Sequence, residues 1–415
     1  MTDESGVSTY SYDGNNMLIE IKKDGVKQIG YTYDDIGNIS TVTDKKGFTT
    51  AYTYDKSSRM ETVTCEGKTT TYTYDENGNR KSVEYPGGVR EEYNYDKDSR
   101  VTGLRNKKPD GSTISSYSYT YDDAGRQVTK TDGYGTTKYT YDKAGRISKV
   151  EMPGKTTVYS YDGAGNRVSM NETCLSAQLT GYIDSVSQKE LEYILKKSEY
   201  VYTSSNKLVK LVERMYDSSN KQVLQRTVSY IYDNNGNELK QNVSFLSPYS
   251  IKSHRTTKGS VYGESITGDI DTLIEKVSNT FDGFNRLRNT ENIKAGVRTL
   301  VEFTYNGDDL RVRKTVKKSD NGYKAEVTNY LYDRQHVVLE TDETDSVKVR
   351  YIRGINYIAR TGSSGTYTYF LFNGHGDVVQ TVNEAGAVDN QYDYDVFGNP
   401  ILVVEKYSCA IRYAG

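Results

Sequence analysis

The motif Tyr-x-Tyr-Asp returns along this chain at a nearly fixed interval, and no other feature restricts the fold as much. Its aspartates are Asp13, Asp34, Asp55, Asp75, Asp96, Asp122, Asp142 and Asp162, with successive gaps of 21, 21, 20, 21, 26, 20 and 20 residues. Self-similarity at such a period means one small unit stacked many times. In a strand the side-chain period is two, so the two tyrosines of Tyr139-Thr140-Tyr141 share a face and Thr140 takes the other. Asp142 then opens a turn, and Gly145 sits where a type I turn favours glycine. The same Asp-x-x-Gly recurs at Asp34/Gly37, Asp75/Gly78, Asp122/Gly125, Asp162/Gly165 and Asp233/Gly236, with Ser58 and Ser99 replacing the glycine in two copies. A second turn signal lies about halfway between motifs, at Asp24-Gly25, Glu66-Gly67, Pro86-Gly87-Gly88, Pro109-Asp110-Gly111, Asp132-Gly133 and Pro153-Gly154. One unit is therefore strand, turn, strand, turn, and consecutive units build one long antiparallel ribbon.

Composition agrees with a ribbon. The chain has 40 Tyr, 8 Phe and no Trp, and its hydrophobic residues are 35% of the total. With so many of those being tyrosine, the aliphatic stock is thin for a single compact core, while the aromatic content argues against disorder. The net charge of −2 has both signs interspersed, which offers nothing to nucleic acid or an anionic membrane. No apolar run approaches the ~18 residues of a membrane-spanning helix. The N-terminus does not read as a signal peptide and runs straight into a repeat at Tyr10. Cys65, Cys174 and Cys409 read as unpaired thiols, with a Cys65–Cys174 bridge left open.

Residues 1–170 hold the regular repeats. From 171 to 300 they degenerate, with Tyr200-Val201-Tyr202-Thr203 and Phe281-Asp282 as weak copies and Tyr230-Ile231-Tyr232-Asp233 a clean one. Residues 301–415 resume with Phe303-Thr304-Tyr305-Asn306 and Tyr330-Leu331-Tyr332-Asp333. Two stretches break the pattern. Ser187-Gln188-Lys189-Glu190 reads as a capping box with Val186 and Leu191 as a staple, which predicts a short helix near 188–197. The stretch 241–279 lacks alternation and predicts a long loop or insertion.

The repeats resemble the YD repeats of the RHS family of rearrangement-hotspot and wall-associated proteins, relatives of the teneurins. The family pattern Tyr-x-Tyr-Asp-x-x-Gly-Arg/Asn is met by Tyr119, Tyr121, Asp122 and Gly125, by Tyr139, Tyr141, Asp142 and Gly145, and by Tyr159, Tyr161, Asp162 and Gly165. The run from Tyr369 to Gln380, with Gly374, His375, Gly376 and Asp377, resembles the opening of the RHS-associated core. Tyr394, Asp395, Phe397 and Gly398 continue it. The resemblance implies an all-β shell of β-hairpin repeats that curves and spirals, enclosing or presenting a C-terminal effector. It implies that the chain is secreted or at the cell surface, and that its partners are the remainder of its own shell and the effector. Near Ile411-Arg412-Tyr413 the family core normally continues, but Ser408-Cys409-Ala410 depart from the usual sequence. The end of the core, its self-cleavage aspartates and any effector are expected to be absent.

No catalytic, cofactor or metal site stands out. Phosphate-loop, nucleophile-elbow and zinc-protease patterns are missing. His254, His336 and His375 are far apart, and His375-Gly376-Asp377 reads as a turn. The repeated Asp is a turn cap, since a calcium loop gathers several ligands within a dozen residues. The tyrosines read as cross-strand packing, with a glycan-binding or adhesion surface as the alternative, and the direction of their rings decides between the two. Evenly curved, the ribbon is expected to make a single open turn whose strand edges invite self-association.

Overall fold

The computed structural model describes residues 2–3, 6–184, 189–246, 251–253, 265–266 and 272–413. Among these the chain is all β apart from one 3-10 turn at Ser319–Asn321, and its 35 strands join in one antiparallel sheet. Apart from one excursion, the two short strands Ile251–Ser253 and Ser265–Ile266 that pair with each other, each strand pairs with the next in sequence, so the sheet is a meander. Across that excursion Glu238–Leu246 pairs with Thr272–Phe281, and Ile251–Ser253 adds to Arg167–Asp184.

Each unit explains its own consensus. In the copy at Asp142, Oδ1 accepts the backbone N–H groups of Ala144 and Arg146, both at 2.9 Å, and Oδ2 accepts Arg146 Nε at 2.8 Å. Gly145 closes the turn on the Asp142 carbonyl at 3.0 Å with φ of 78°. Arg146 then lies over the Tyr161 ring, 4.5 Å from its centre, and Tyr161 donates its hydroxyl to the Ile147 carbonyl at 2.7 Å. The second tyrosine thus straps each unit to the one before, as Tyr54 does to Ile39, Tyr74 to Met60, Tyr121 to Val101 and Tyr141 to Gln127. From Tyr31 to Tyr159 the first tyrosine is buried or half-buried, while Tyr10 in the first copy is exposed, and the alternate positions form an exposed ladder of paired hydroxyls such as Thr53–Thr62 and Thr120–Thr129. The sheet has a tyrosine face and a threonine face.

Because an L-residue with positive φ costs about 1–2 kcal/mol, Gly145→Ala is expected to lower stability by about that amount in urea titration. Gly163→Ala is a control with open space around its Cβ and no positive φ, expected to stay within ~0.5 kcal/mol of wild type.

The expected helix near 188–197 is a strand. Glu190–Tyr202 pairs on both sides, with Leu191 buried against Leu224, Val228, Val243 and Phe245. Leu191, Tyr193 and Leu195 also alternate at period two, and sheet neighbours on both edges outweigh a local helix start. Val186, Ser187 and Gln188 lie outside the described residues. The loop expected over 241–279 is likewise partly sheet, since 241–246 and 272–279 belong to strands paired with each other. Residues 247–250, 254–264 and 267–271, His254 among them, lie outside the description.

The ribbon does not stop at one turn. Gly307 N–H donates to Asp3 at 2.8 Å, and from there on the chain runs over strands already laid down. Tyr31 bonds Asp333 at 2.9 Å, and Tyr159 packs on Phe397 with ring centres 5.3 Å apart. Between these contacts residues 31 to 159 of the first winding face residues 333 to 397 of the second. Twelve strand-to-strand steps face about six, arcs of roughly 58 and 29 Å at ~4.8 Å per step. The second winding therefore runs on the smaller radius and lies inside the first.

Burial on two faces follows. In the strand Tyr367–Phe372, Tyr369 and Leu371 meet the tyrosine face of the outer winding at Val63, Tyr72, Val83, Tyr93 and Leu104. Phe370 and Phe372 point the other way and cluster with Tyr351, Tyr357, Val378, Tyr392 and Cys409. The chain end, residues 406–413, covers that second cluster. Tyr407 bonds Thr381 at 2.7 Å, Arg360 donates to the Ser408 carbonyl at 2.6 Å, and Val378 N–H donates to the Arg412 carbonyl at 2.9 Å.

Candidate functional site

Of the residues singled out from the sequence, the first tyrosines Tyr119, Tyr139 and Tyr159 and the core-like run 374–398 meet at the seam between the two windings, whereas the turn aspartates and glycines serve turns within the outer one. Tyr119 is buried, and its hydroxyl accepts the Gly374 N–H at 2.8 Å. A Cβ on Gly374 would stand 2.5 Å from the Tyr119 ring, so glycine there permits close approach. The second tyrosines Tyr121, Tyr141 and Tyr161 are the straps already described. Asp122, Asp142 and Asp162 cap turns, and Gly125, Gly145 and Gly165 hold positive φ. Tyr139 is half-buried at the same seam.

The run 373–377 is a turn of the repeat type with Asn373 as its cap. Asn373 Oδ1 accepts the N–H groups of His375 and Asp377, and Asn373 Nδ2 donates to Asp377 Oδ2 at 2.8 Å. Gly376 has φ of 94°. His375 Nδ1 lies 3.0 Å from Asp377 Oδ1, and its largely exposed ring stacks on Tyr413 with centres 5.6 Å apart. Asp395 caps the next turn, Tyr394 straps to the Val378 carbonyl at 3.0 Å, and Gly398 passes close to the Tyr413 ring. Phe397 seats on Tyr159 and on the Arg167 guanidinium, 4.4 Å from its ring centre. Nothing in this arrangement places a nucleophile beside a base. Among the described residues no three His, Cys, Asp or Glu side chains converge as metal ligands. Cys65, Cys174 and Cys409 are free and buried, and burial pushes all three thiols up.

Sequence reasoning passed over the polar groups buried in the seam. Glu91 is 1% exposed; its Oε2 accepts the Tyr93 hydroxyl at 2.6 Å, and Oε1 accepts the Phe372 N–H at 3.2 Å. Burial raises its carboxyl. Tyr85 donates to the Phe370 carbonyl and Asn106 to that of Phe372. Arg350 Nε reaches Asp44 Oδ2 at 2.9 Å. Lys130 sits between Asp132 at 3.0 Å and Asp393 at 3.6 Å, with cavities of about 310 and 210 Å³ beside it. The signal was present, because each copy of a repeat is a template for the others. Opposite the first tyrosine the copies carry Ile21, Val42, Val63, Val83, Leu104, Val150 and Met170, but Lys130 in the sixth.

The sequence model of the Teneurin YD-shell family matches residues 9–414. The chain belongs to this family. Similar curated proteins include the tRNA3(Ser)-specific nuclease WapA of Bacillus spizizenii, 30% identical over 206 residues, which cover 45% of this chain and 8% of that protein. The tRNA(Glu)-specific nuclease WapA of Bacillus subtilis subsp. natto is 32% identical over 124 residues, 28% of this chain and 5% of that protein. The YD-shell chain thus spans less than a tenth of the length of these relatives. Similar solved structures include TcdB2-TccC3-TEV, at 14% identity and a TM-score of 0.35, covering 98% of this chain and 26% of that one. TcdB2-TccC3 also aligns at 14% identity, with a TM-score of 0.33 and 98% and 28% coverage.

Proposed function

We propose that this YD-shell chain is a wall segment of an RHS-type secreted or cell-surface protein, whose shell encloses or presents a C-terminal effector. The observation that carries the proposal is where the tyrosines go. In the motifs from Tyr31 to Tyr161 the first ring is buried or half-buried, and the second spends its hydroxyl on the neighbouring unit, so most of the aromatic stock builds wall instead of a displayed surface. The inner winding supports the same reading, since it fills the space behind one stretch of that wall. The chain itself performs no chemistry in this proposal, and the tRNA nuclease activities named for the WapA proteins are those proteins' own.

The test is protease protection. A compact reporter domain is fused after Gly415 in this chain alone and, separately, placed in the effector position of the gene's full product. The reporter is expected to be cleaved in the first setting and shielded in the second. Equal cleavage in both would overturn the proposal.

A further inference from the structure

Seating the second winding inside the first poses a problem of register. The facing surface of the outer winding is built from closely similar repeats, so the apolar contact it offers is nearly periodic. Sliding the inner winding by one repeat would exchange one tyrosine- and valine-lined groove for another. Such a surface specifies adhesion but not position, and specificity then has to come from contacts that fail when misplaced.

Three contacts between the windings have that character, and two depart clearly from the repeat. At the place held by Ile29, Thr50, Thr70, Thr137 and Thr157 in other copies stands Glu91. Its Oε1 takes the N–H of Phe372, where the pairing register slips by one residue between Leu371 and Phe372. Lys130 replaces the apolar residue opposite the first tyrosine. The residue it meets, Asp393, occupies the middle of Tyr392-Asp393-Tyr394, a place held elsewhere by Thr32, Thr53, Thr120, Thr140, Leu331 and Leu371. Both odd residues in this last pair are charged, their signs are opposite, and 263 positions separate them (130 to 393). The third contact is the buried ion pair of Arg350 with Asp44.

We propose that Glu91–Phe372, Lys130–Asp393 and Asp44–Arg350 are register pins, which fix where the inner winding seats on the outer one. A slip of one repeat would bring Leu371 to the place of Asp393. Lys130 and Asp132 would then be buried against an apolar strand, and Glu91 would lose its N–H. Lys130 would keep Asp132 at 3.0 Å and Glu91 the Tyr93 hydroxyl, but each would lose its partner on the inner winding. Burying charge short of polar partners is unfavourable, whereas a matched pair adds little net stability over an apolar pair. The pins therefore discriminate between registers more than they stabilise one, the role known for a single buried polar residue in a coiled coil.

The test reads position and stability separately. Spin labels are placed on the exposed positions Lys143→Cys and Ala385→Cys, one on each winding, in the full chain; the three native cysteines are buried. Wild type is expected to give one narrow distance. The variant carrying Glu91→Thr, Lys130→Val and Asp393→Thr puts ordinary repeat residues at the pins. It is expected to melt near wild type but to show a second population displaced by roughly 10 Å, two strand spacings. The single variant Lys130→Asp should broaden the distribution, and adding Asp393→Lys should restore one distance. A triple variant that keeps the single narrow distance overturns the proposal. So does a charge-reversed pair that fails to recover what Lys130→Asp lost, which decides the matter even if the triple variant does not fold.

Discussion

Leu371→Ala should lower unfolding free energy by about 2–5 kcal/mol, and Phe370→Ala by about 3–5 kcal/mol, the usual range for cavities left in closed cores. Both side chains are 0% exposed and sit on one strand, yet they fill different cores. Leu371 packs against the outer winding and Phe370 toward the chain end. The two losses should therefore open different seams. Hydrogen exchange is expected to rise along Val63–Leu104 in Leu371→Ala and around Tyr392 and residues 406–413 in Phe370→Ala. Identical exchange patterns would show that the two faces form one cooperative unit, against the layered packing described above. The two sites are adjacent, so the double variant is expected to be non-additive.

Gly374→Val should be nearly as costly. Its Cβ would be driven to 2.5 Å from the Tyr119 ring, and overpacking of this kind costs typically about 1–3 kcal/mol. The loss has a specific remedy. Adding Tyr119→Ala removes the obstructing ring, and the double variant should recover part of the stability lost by Gly374→Val even though Tyr119→Ala is itself destabilising. Strictly additive losses in urea titration would count against steric conflict as the cause. Gly376→Ala in the same turn has open space around its Cβ but φ of 94°. Its cost should persist unchanged when Tyr119 is truncated.

The local unit was legible in the sequence because it is set by local physics. Tyr-Thr-Tyr fixes the faces, and Asp-x-x-Gly fixes the turn. Where Thr203 or Asn306 takes the cap position the same closure forms, with Lys207 N–H on Thr203 Oγ1 and Leu310 N–H on Asn306 Oδ1. The helix expected near 188–197 failed because a four-residue capping signal was weighed without the two strands that would flank it. The second winding was missed for a different reason. A single open turn follows only if curvature is uniform, and the chain tightens after residue 307. A clue lay in Tyr369-Phe370-Leu371-Phe372 and Val378-Val379, where the tyrosine–threonine alternation gives way to continuous apolar runs. Such runs mark strands covered on both faces. Glu91 and Lys130 stood out only on comparing repeat with repeat.

The nested winding also divides the chain by its tolerance of length change. Strands such as Leu208–Tyr216 and Gln222–Tyr232 draw their pairing from immediate neighbours, as in any one-dimensional array. A whole unit gained or lost between residues 190 and 246 would lengthen or shorten the outer circuit while leaving each remaining interface intact. The same event between Asp44 and Lys130 would carry those residues out of step with Arg350 and Asp393. Duplication and deletion, the usual means by which repeat genes drift in copy number, are thus free to act on one arc of this wall and barred from the other. Natural variation in unit number should be confined to the arc that no described residue of the second winding faces.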